Sequence, residues 1–252
     1  MNRILIVLAS IIFINTFLLA LFCRGMAILE KLLYTHSHKK NSVSMNTEKT
    51  ECKKVVEKKN LKKWVINGII NFLNSYGYGW MRYCILEAGR IPSNRIRNII
   101  YRVVFNAHIT SKTVINGGCE IRSPWNFYAG NCVIMNNCIL DARGKIVIHD
   151  NVVFGQGVHI WTEEHDVNSS TFSVSEKNRG PVIVENRAWI GSDSTILPGI
   201  HIGEGAVLGS RACATKDLDP YGIYVGIPAK KHGERNQKLV YELSGKPHWH
   251  FY

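Results

Sequence analysis

This sequence of 252 residues lacks regularly paired cysteines and has fewer acidic than basic residues. Seven cysteines are present, an odd number, and none is spaced as Cys-x-x-Cys, which argues against a disulfide framework and against a zinc finger. Charged residues make up 20% and hydrophobic residues 46%, so the chain is neither disordered nor collagen-like. A mean hydropathy of −0.05 excludes a polytopic membrane protein. We therefore expect reduced thiols and a packed core.

Negative charge is especially scarce in residues 1–108, which hold 5 Asp and Glu against 17 Lys and Arg. Residues 109–252 hold 14 of each, so the formal charge of +12 belongs to the N-terminal part alone. A nucleic-acid enzyme is expected to carry basic charge around its binding core. We therefore expect no nucleic-acid partner and attribute the basic charge to an anchor.

One uncharged run of 20 residues, from Ile4 to Cys23, lies between two arginines. A helix of this length spans about 30 Å, the thickness of the hydrocarbon core of a bilayer. A signal peptide is the alternative, but Ala20-Leu21-Phe22-Cys23 is a poor cleavage site. The run predicts a transmembrane anchor over residues 1–24. The lysines that follow it predict a single-pass protein of the cell inner membrane whose C-terminal body faces the cytoplasm.

Two segments separate the anchor from the rest of the chain. Residues 25–60 form a basic polar linker with no apolar period, whereas apolar residues return at helical spacing over residues 61–108. This helical N-terminal segment is divided into about three short helices by Gly77, Gly79, Gly89 and Pro92. The sequence leaves open whether these helices cover the end of the next domain or lie on a membrane surface.

From residue 109 the hydrophobic period changes to six. Large side chains recur at 109, 115 and 121, at 128, 134 and 140, at 148, 154 and 160, and in steps of six from 184 to 214. Four residues beyond each mark the side chain is small or compact, as at Cys119, Cys132 and Cys138, which we interpret as buried fillers. A period of six fits neither an amphipathic helix nor an alternating strand. It is typical of a β-solenoid whose short strands stack into a prism.

Three segments carry a resemblance to a known family: GNCVIMNNCILDARGKIVIHDNVVFGQGVHIWTEEHD (130–166), PVIVENRAWIGSDSTILPGIHIGEGAVLGSRACATKD (181–217) and VGIPAKK (225–231). They resemble the hexapeptide-repeat acyltransferases, above all the maltose/galactoside O-acetyltransferase branch and related polysaccharide O-acetyltransferases. The resemblance covers about half of the chain. It implies a mainly β chain, with a left-handed parallel β-helix over 109–228 and a tail over 229–252. It also implies a homotrimer with active sites between neighbouring prisms.

The six-residue repeat breaks after His165, where a polar insertion over 166–181 must leave the prism as a loop. A loop on a rigid scaffold is a common place for binding and catalysis. The resemblance assigns the catalytic base to His165, which would remove a proton from a sugar hydroxyl as its oxygen attacks acetyl-CoA. Histidine suits this role near neutral pH. The acceptor that fixes the ring stays open among Glu163, Glu164, Asp166 and a backbone carbonyl.

The resemblance also implies binding residues for the acyl donor and the acceptor. Coenzyme contacts fall on Trp189, Ser192, Ser210, Thr215, Lys216 and Lys230. A second cation of the family is replaced by Gly233, for which Lys231 is a candidate substitute. Contacts to the acceptor sugar fall on Asn136, Asn137 and Asp141, in a segment NNCILD that is one residue shorter than in the relatives.

Together these residues predict an acetyl-CoA-dependent O-acetyltransferase that acts on a hydroxyl of a cell-surface polysaccharide or its lipid-linked precursor and needs no metal. N-acetylation of an amino sugar nucleotide is the alternative within the fold, and a non-catalytic scaffold is the alternative of another class. A metal enzyme resembling the γ-class carbonic anhydrases is disfavoured, because its zinc spacing is not matched by His149, His159, His165 and His201. The aromatic C-terminal end, residues 248–252, is expected to pack on a neighbour or a membrane surface.

Overall fold

The structure is a computed structural model that describes residues 10, 12–28 and 61–247, with the backbone alone over 61–74 and 175–178. Helix α1 covers residues 12–28, α2 covers Leu61–Gly89 and α3 covers Asn94–Val103. After α3 the described chain consists mainly of short strands, with one 3-10 helix over Pro124–Asn126.

The strands follow one another at short intervals along the chain. In chain order they are β1 His108–Ile109, β2 Val114–Ile115, β3 Glu120–Arg122, β4 Phe127–Ala129, β5 Cys132–Ile134, β6 Ile139–Asp141, β7 Ile146–Ile148, β8 Val152–Phe154, β9 His159–Ile160, β10 Glu163–His165, β11 Val174–Arg179, β12 Val182–Val184, β13 Trp189–Ile190, β14 Thr195–Ile196, β15 His201–Ile202, β16 Val207–Leu208, β17 Cys213–Ala214, β18 Gly222–Val225 and β19 Lys230–Glu234.

Three parallel sheets form the sides of a prism. Sheet A contains β1, β4, β7, β12 and β15; sheet B contains β2, β5, β8, β13, β16 and β18, with β19 antiparallel at its edge; sheet C contains β3, β6, β9, β14 and β17. Each coil of chain therefore adds one strand to each sheet, in the order A, B, C. The expected solenoid is confirmed, with about six coils. The left-handed sense of its coils stays a prediction.

The turns between sheets stack into three corners. Corner AB comprises residues 110–113, 130–131, 149–151, 185–188, 203–206 and 219–221; corner BC comprises 116–119, 135–138, 155–158, 191–194 and 209–212; corner CA comprises 123–126, 142–145, 161–181, 197–200 and 215–217. Backbone hydrogen bonds join successive turns, as from Arg211 N to Ser192 O (2.8 Å) and from Gly157 N to Asn136 O (2.9 Å) in corner BC.

The core consists of side chains stacked along the inside of each sheet. All but one of the expected large positions are buried, including Ile115, Ile134, Phe154, Ile190 and Leu208 in sheet B. The exception is position 128. There Ala129 pairs in register with Ile109 and Ile148 and points inward, while Tyr128 is only half-buried. The extra residues of the 3-10 helix shift the register by one position.

The small positions fill the inside of the prism as expected. Cys119, Cys132 and Cys138 are free thiols and are at most 1% exposed. Burial raises the pKa of the Cys132 thiol, which disfavours its reactive thiolate form. These cysteines therefore behave as buried fillers.

Helix α3 covers the open end of the first coil. The guanidinium of Arg97 is fully buried and donates to Ile115 O (2.8 Å), and the Asn98 amide donates to Thr113 O (2.6 Å). These bonds satisfy carbonyl oxygens that have no coil above them to pair with. The sequence left open whether the helices cover the end of the next domain or lie on a membrane surface. Helix α3 covers the end of the domain.

Helix α2 is one helix where the sequence suggested separate short ones. It runs through both Gly77 and Gly79, and ends at Gly89. A glycine inside a helix costs about 1 kcal/mol relative to alanine, a cost that tertiary packing readily offsets. The ring of Phe22 lies 2.7 Å from where a Cβ of Gly77 would be, so glycine permits the close approach of α1.

The predicted inner-membrane location is wrong, and the predicted transmembrane anchor is not supported. Among residues 10, 12–28 and 61–247, no helix combines the length and the apolar character needed to cross a membrane. Residues 12–23 of the uncharged run lie in helix α1, and Leu19, Ala20 and Cys23 are buried in the same core as Met81 and Ile85 of α2. The remainder of that run and the linker over 29–60 lie outside the described residues.

Residues 235–247 run back along corner AB from the last coil to α3. Asn131 of the second coil donates to Leu243 O (2.9 Å), and Arg95 of α3 donates to Pro247 O (2.9 Å). We call this segment the C-terminal strap. The aromatic end over 248–252, expected to meet a neighbour or a membrane, lies outside the described residues.

Candidate active site

The insertion leaves the prism at corner CA as a β-hairpin. Strands β10 and β11 pair antiparallel, with Glu163 opposite Arg179 and His165 opposite Val174. Its root is the buried Thr162, whose hydroxyl donates to Asp141 O (2.6 Å) and accepts from Gly144 N (2.7 Å). The expected loop is therefore a two-stranded arm that starts from a fixed point on the prism. We call it the His165 hairpin.

His165 is exposed on this hairpin, and Phe172 fixes its ring in two ways. The Nδ1 atom lies 2.7 Å from Phe172 O, and the two rings stack with centroids 4.6 Å apart and planes 3° apart. A carbonyl oxygen only accepts hydrogen bonds, so Nδ1 carries the proton and Nε2 is the basic nitrogen of the neutral ring. Of the ring partners that the sequence left open, a backbone carbonyl fills the role.

Four charged side chains meet at the root of the hairpin. Glu163 lies 2.5 Å from Arg143 Nη1 and 3.7 Å from Arg179 Nε. Arg143 in turn holds Asp141 with a fork of hydrogen bonds, Nε to Oδ1 at 2.9 Å and Nη2 to Oδ2 at 2.6 Å. Hydrogen bonding to Asp141 raises the pKa of the Arg143 guanidinium. We call these residues the root cluster.

Of the three residues expected at the acceptor sugar, Asp141 is not accessible. Its carboxylate is fully buried and engaged by Arg143, with Arg122 at 3.6 Å. Asn136 and Asn137 lie in corner BC, where Asn137 is exposed and has a left-handed φ of 60°. The three residues expected to contact the acceptor sugar therefore lie in two places: Asn136 and Asn137 in corner BC, and Asp141 in a buried ion pair.

The residues expected to contact the coenzyme also lie in separate places on the prism. Ser192 and Ser210 stack in corner BC, and Trp189 stands beside them on the outer face of sheet B, 49% exposed. Thr215 and Lys216 are exposed in corner CA, the corner from which the His165 hairpin leaves. A strand rises about 3.3 Å per residue, so the five steps from Ser210 to Thr215 span at most about 16 Å.

Two lysines near the end of the solenoid have different surroundings. Lys230 begins β19 and is exposed. Lys231, the candidate substitute for the cation missing at Gly233, lies 3.2 Å from Glu234 and 3.7 Å from Asp219. Because two carboxylates already compensate its charge, Lys231 is a poor substitute.

The chain is similar in sequence to curated acetyltransferases. A chloramphenicol acetyltransferase of Klebsiella aerogenes is 44% identical over 75 residues, which are 30% of this chain and 35% of that protein. The chain spans about a third to a half of the length of the curated relatives that it matches, from 35% to 54%. No protein-family model matches the sequence.

Solved structures share the solenoid. A maltose O-acetyltransferase from Clostridium difficile 630 aligns with a TM-score of 0.55 at 25% identity and covers 62% of this chain and 87% of that one. The comparisons support the hexapeptide-repeat acetyltransferase family for this chain. A galactoside acetyltransferase in complex with coenzyme A aligns with a TM-score of 0.56 at 23% identity, over 67% of this chain and 90% of that one, a likeness of fold.

Three residues that contact His165 or the root of its hairpin could not be predicted from the sequence. Nothing in a polar insertion signals that the carbonyl of Phe172 returns to a histidine seven residues earlier. Arg143 and Arg179 are 36 residues apart, and only the fold of the hairpin brings them together. Near Asp141, the pair Arg143-Gly144 is the one local feature of the sequence that marks this cluster.

The four histidines considered above, His149, His159, His165 and His201, are not grouped in the structure. His149 and His201 both contact Glu185, at 3.7 and 3.0 Å, on one side of the prism. His159 lies on sheet C and His165 on the hairpin. In the part of the chain that the structure describes, no three histidine, cysteine or acidic side chains are grouped so as to hold a metal ion.

Proposed function

We propose that this protein is an acetyl-CoA-dependent O-acetyltransferase that acts on a sugar hydroxyl, with His165 as general base. The observation that carries the proposal is the geometry of His165. The hairpin presents its ring to solvent, and the carbonyl of Phe172 reserves Nε2 as the proton acceptor. A similar solenoid with bound coenzyme A supports the donor, and the maltose O-acetyltransferase likeness supports the acceptor class.

The chemistry requires one base and no covalent intermediate on the protein. Nε2 of His165 takes the proton of the acceptor hydroxyl while its oxygen attacks the carbonyl carbon of the thioester. The carbon–sulfur bond then breaks, and the imidazolium returns the proton to the leaving thiolate. A positioned general base contributes about 10²- to 10⁴-fold in rate.

The donor phosphates require cations that are not already neutralised. Lys216 and Lys230 are both exposed, and each supplies a point charge that suits a phosphate. Trp189, Ser192, Ser210 and Thr215 complete the proposed coenzyme contacts. Because they lie on different sides of one prism, we propose a homotrimer in which neighbouring prisms share each site.

We propose a cell-surface polysaccharide as the source of the acceptor hydroxyl. This part rests on the sequence resemblance, since the membrane helix that motivated a lipid-linked acceptor is not found among the described residues. The amides of Asn136 and Asn137 are the proposed acceptor contacts in corner BC. Asp141 contributes directly only if Arg143 releases it.

The test is calorimetric titration of acetyl-CoA into the full chain, together with acetyl transfer to a panel of oligosaccharides and one amino sugar nucleotide. We expect His165→Gln to bind acetyl-CoA within about 2-fold of wild type and to lose about 10²- to 10⁴-fold in transfer. Lys216→Ala should weaken binding about 10-fold, because a charge-assisted hydrogen bond is lost. Lys238→Ala, an exposed lysine on the strap, is the matched control.

Each alternative has its own outcome in this experiment. A folded sample that does not bind acetyl-CoA contradicts the proposal and favours the scaffold. Transfer to the amino sugar nucleotide alone favours N-acetylation. Full activity in His165→Gln removes His165 from the role of base.

A further inference from the structure

The His165 hairpin is fastened to the prism by side chains, and Glu163 is the centre of this attachment. Its side chain is 12% exposed and contacts Arg143 from the prism and Arg179 from the returning strand of the hairpin. Arg179 also donates to the backbone carbonyl of Arg143. One carboxylate therefore joins the prism to both strands of the hairpin.

Arg143 is itself held rigidly. Its guanidinium forms a fork on Asp141, whose carboxylate is fully buried and whose backbone carbonyl receives the hydroxyl of Thr162. A bidentate arginine–carboxylate pair fixes orientation as well as distance, which a lysine does not do. Through Arg143 and Asp141, the position of Glu163 is therefore fixed relative to the interior of the solenoid.

Without these contacts the described hairpin keeps few links to the prism. The backbone bonds at its root include Gly180 N to Thr162 O at 3.0 Å. His165 is two residues beyond Glu163, so a change in the angle of the hairpin moves its ring directly. A misplacement of about 1 Å in a catalytic group costs on the order of 10²-fold in rate.

We infer that Glu163, Arg143 and Arg179 are positioning residues that fix the His165 hairpin in the geometry required for transfer. This inference rests on the proposed function of His165. The root cluster would then set kcat through the location of the base, while the coenzyme contacts in corner CA and corner BC would be independent of it.

The decisive variant is Glu163→Gln, which preserves shape and removes the charge that both arginines share. We expect hydrogen exchange at amides of 163–166 and 174–179 to become about 10-fold faster, with exchange in β14 and β17 unchanged. We expect kcat to fall about 10- to 100-fold, with acetyl-CoA affinity within about 2-fold of wild type. Glu87→Gln, which removes the same charge from the exposed Arg90 pair on α2, is the matched control and should change neither quantity.

A second pair of variants separates positioning from folding. Arg179→Lys retains a charge near Glu163 and should retain most of kcat, whereas Arg179→Met should lower kcat and loosen the hairpin. Faster exchange in the hairpin with unchanged kcat overturns the inference, as does unchanged exchange in both Glu163→Gln and Arg179→Met. If wild-type protein transfers no acetyl group, the proposed function fails, yet hydrogen exchange still decides whether the root cluster fixes the hairpin.

Discussion

Phe172 shows how one residue sets both the tautomer and the tilt of a base. Its carbonyl accepts from Nδ1 of His165, and its ring lies parallel to the imidazole. Its backbone has a left-handed φ of 46°, a conformation that non-glycine residues adopt uncommonly. Backbone geometry here serves the histidine at some conformational cost.

Replacing Phe172 by leucine separates these two contributions. Phe172→Leu removes the ring stacking and leaves the carbonyl in place, and a stacked pair is worth about 0.5–1.5 kcal/mol. We expect kcat to fall about 2- to 10-fold with acetyl-CoA affinity unchanged. Val167→Ala, an exposed apolar residue of the same hairpin, is the control for steady-state kinetics. A loss above about 100-fold would mean that the carbonyl had moved as well.

The C-terminal strap is the element that ties the coils together along corner AB. Tyr241 OH donates to Arg187 O (3.0 Å) in the fourth coil, and Asn151 Oδ1 of the third coil accepts from Leu243 N (2.9 Å). Arg235 donates to Arg187 O (2.8 Å). In a solenoid each coil contacts mainly its neighbours, so a segment that spans several coils adds cooperativity that the repeat itself lacks.

Shortening the chain after Glu234 tests this role. The truncation removes several hydrogen bonds, each worth about 1 kcal/mol, and exposes the carbonyls that they satisfied. We expect the melting temperature to fall by roughly 10 °C, at about 2–4 °C per kcal/mol for a chain of this size. Asn131→Ala, which removes a single strap contact, should lower it by roughly 2–4 °C.

Asn168→Ala is the control, an exposed asparagine on the His165 hairpin, which leaves the prism at corner CA, whereas the strap runs along corner AB. If truncation leaves the melting temperature within about 2 °C of the full chain, the strap does not stabilise the solenoid. Scanning calorimetry of all three variants under one buffer condition gives the comparison.

At the scale of the whole molecule, the proposed site residues form two groups. His165, Thr215 and Lys216 lie in corner CA, whereas Ser192 and Ser210 lie in corner BC with Trp189 nearby. Sheet C lies between the two corners. A trimer in which corner CA of one prism meets corner BC of the next would bring the groups together.

Mixed trimers test this arrangement. We expect His165→Ala and Trp189→Asp each to be inactive alone, and their mixture, refolded together, to regain about one quarter of the sites, since each shared site then has one chance in four of two intact halves. Acetyl transfer by the mixture is the measurement. An inactive mixture that sediments as a trimer would place both groups in a single chain and contradict the shared site.

Much of the fold could be predicted because the inward positions of a β-solenoid recur at a fixed spacing along the chain. A period of six places Ile115, Ile134 and Phe154 inside one sheet without any knowledge of distant contacts. The one register error, at Tyr128, arises because the residues of the 3-10 helix have no repeat of their own. The inner-membrane prediction failed because apolar character alone does not reveal that Leu19 and Cys23 are buried in the same core as Met81 and Ile85 of α2.

The sequence by itself determined the prism, the place where its repeat breaks and the histidine at that break, because spacing along the chain dictates each of them. Only the tertiary structure decided that Phe172 fixes the ring, that Arg143 and Arg179 converge on Glu163, and that Asp141 is buried. The contacts of Phe172, Arg143 and Arg179 join residues separated by 7 to 20 positions through a hairpin and stacked corners. Their pairing depends on how the chain closes in space, which no local pattern encodes.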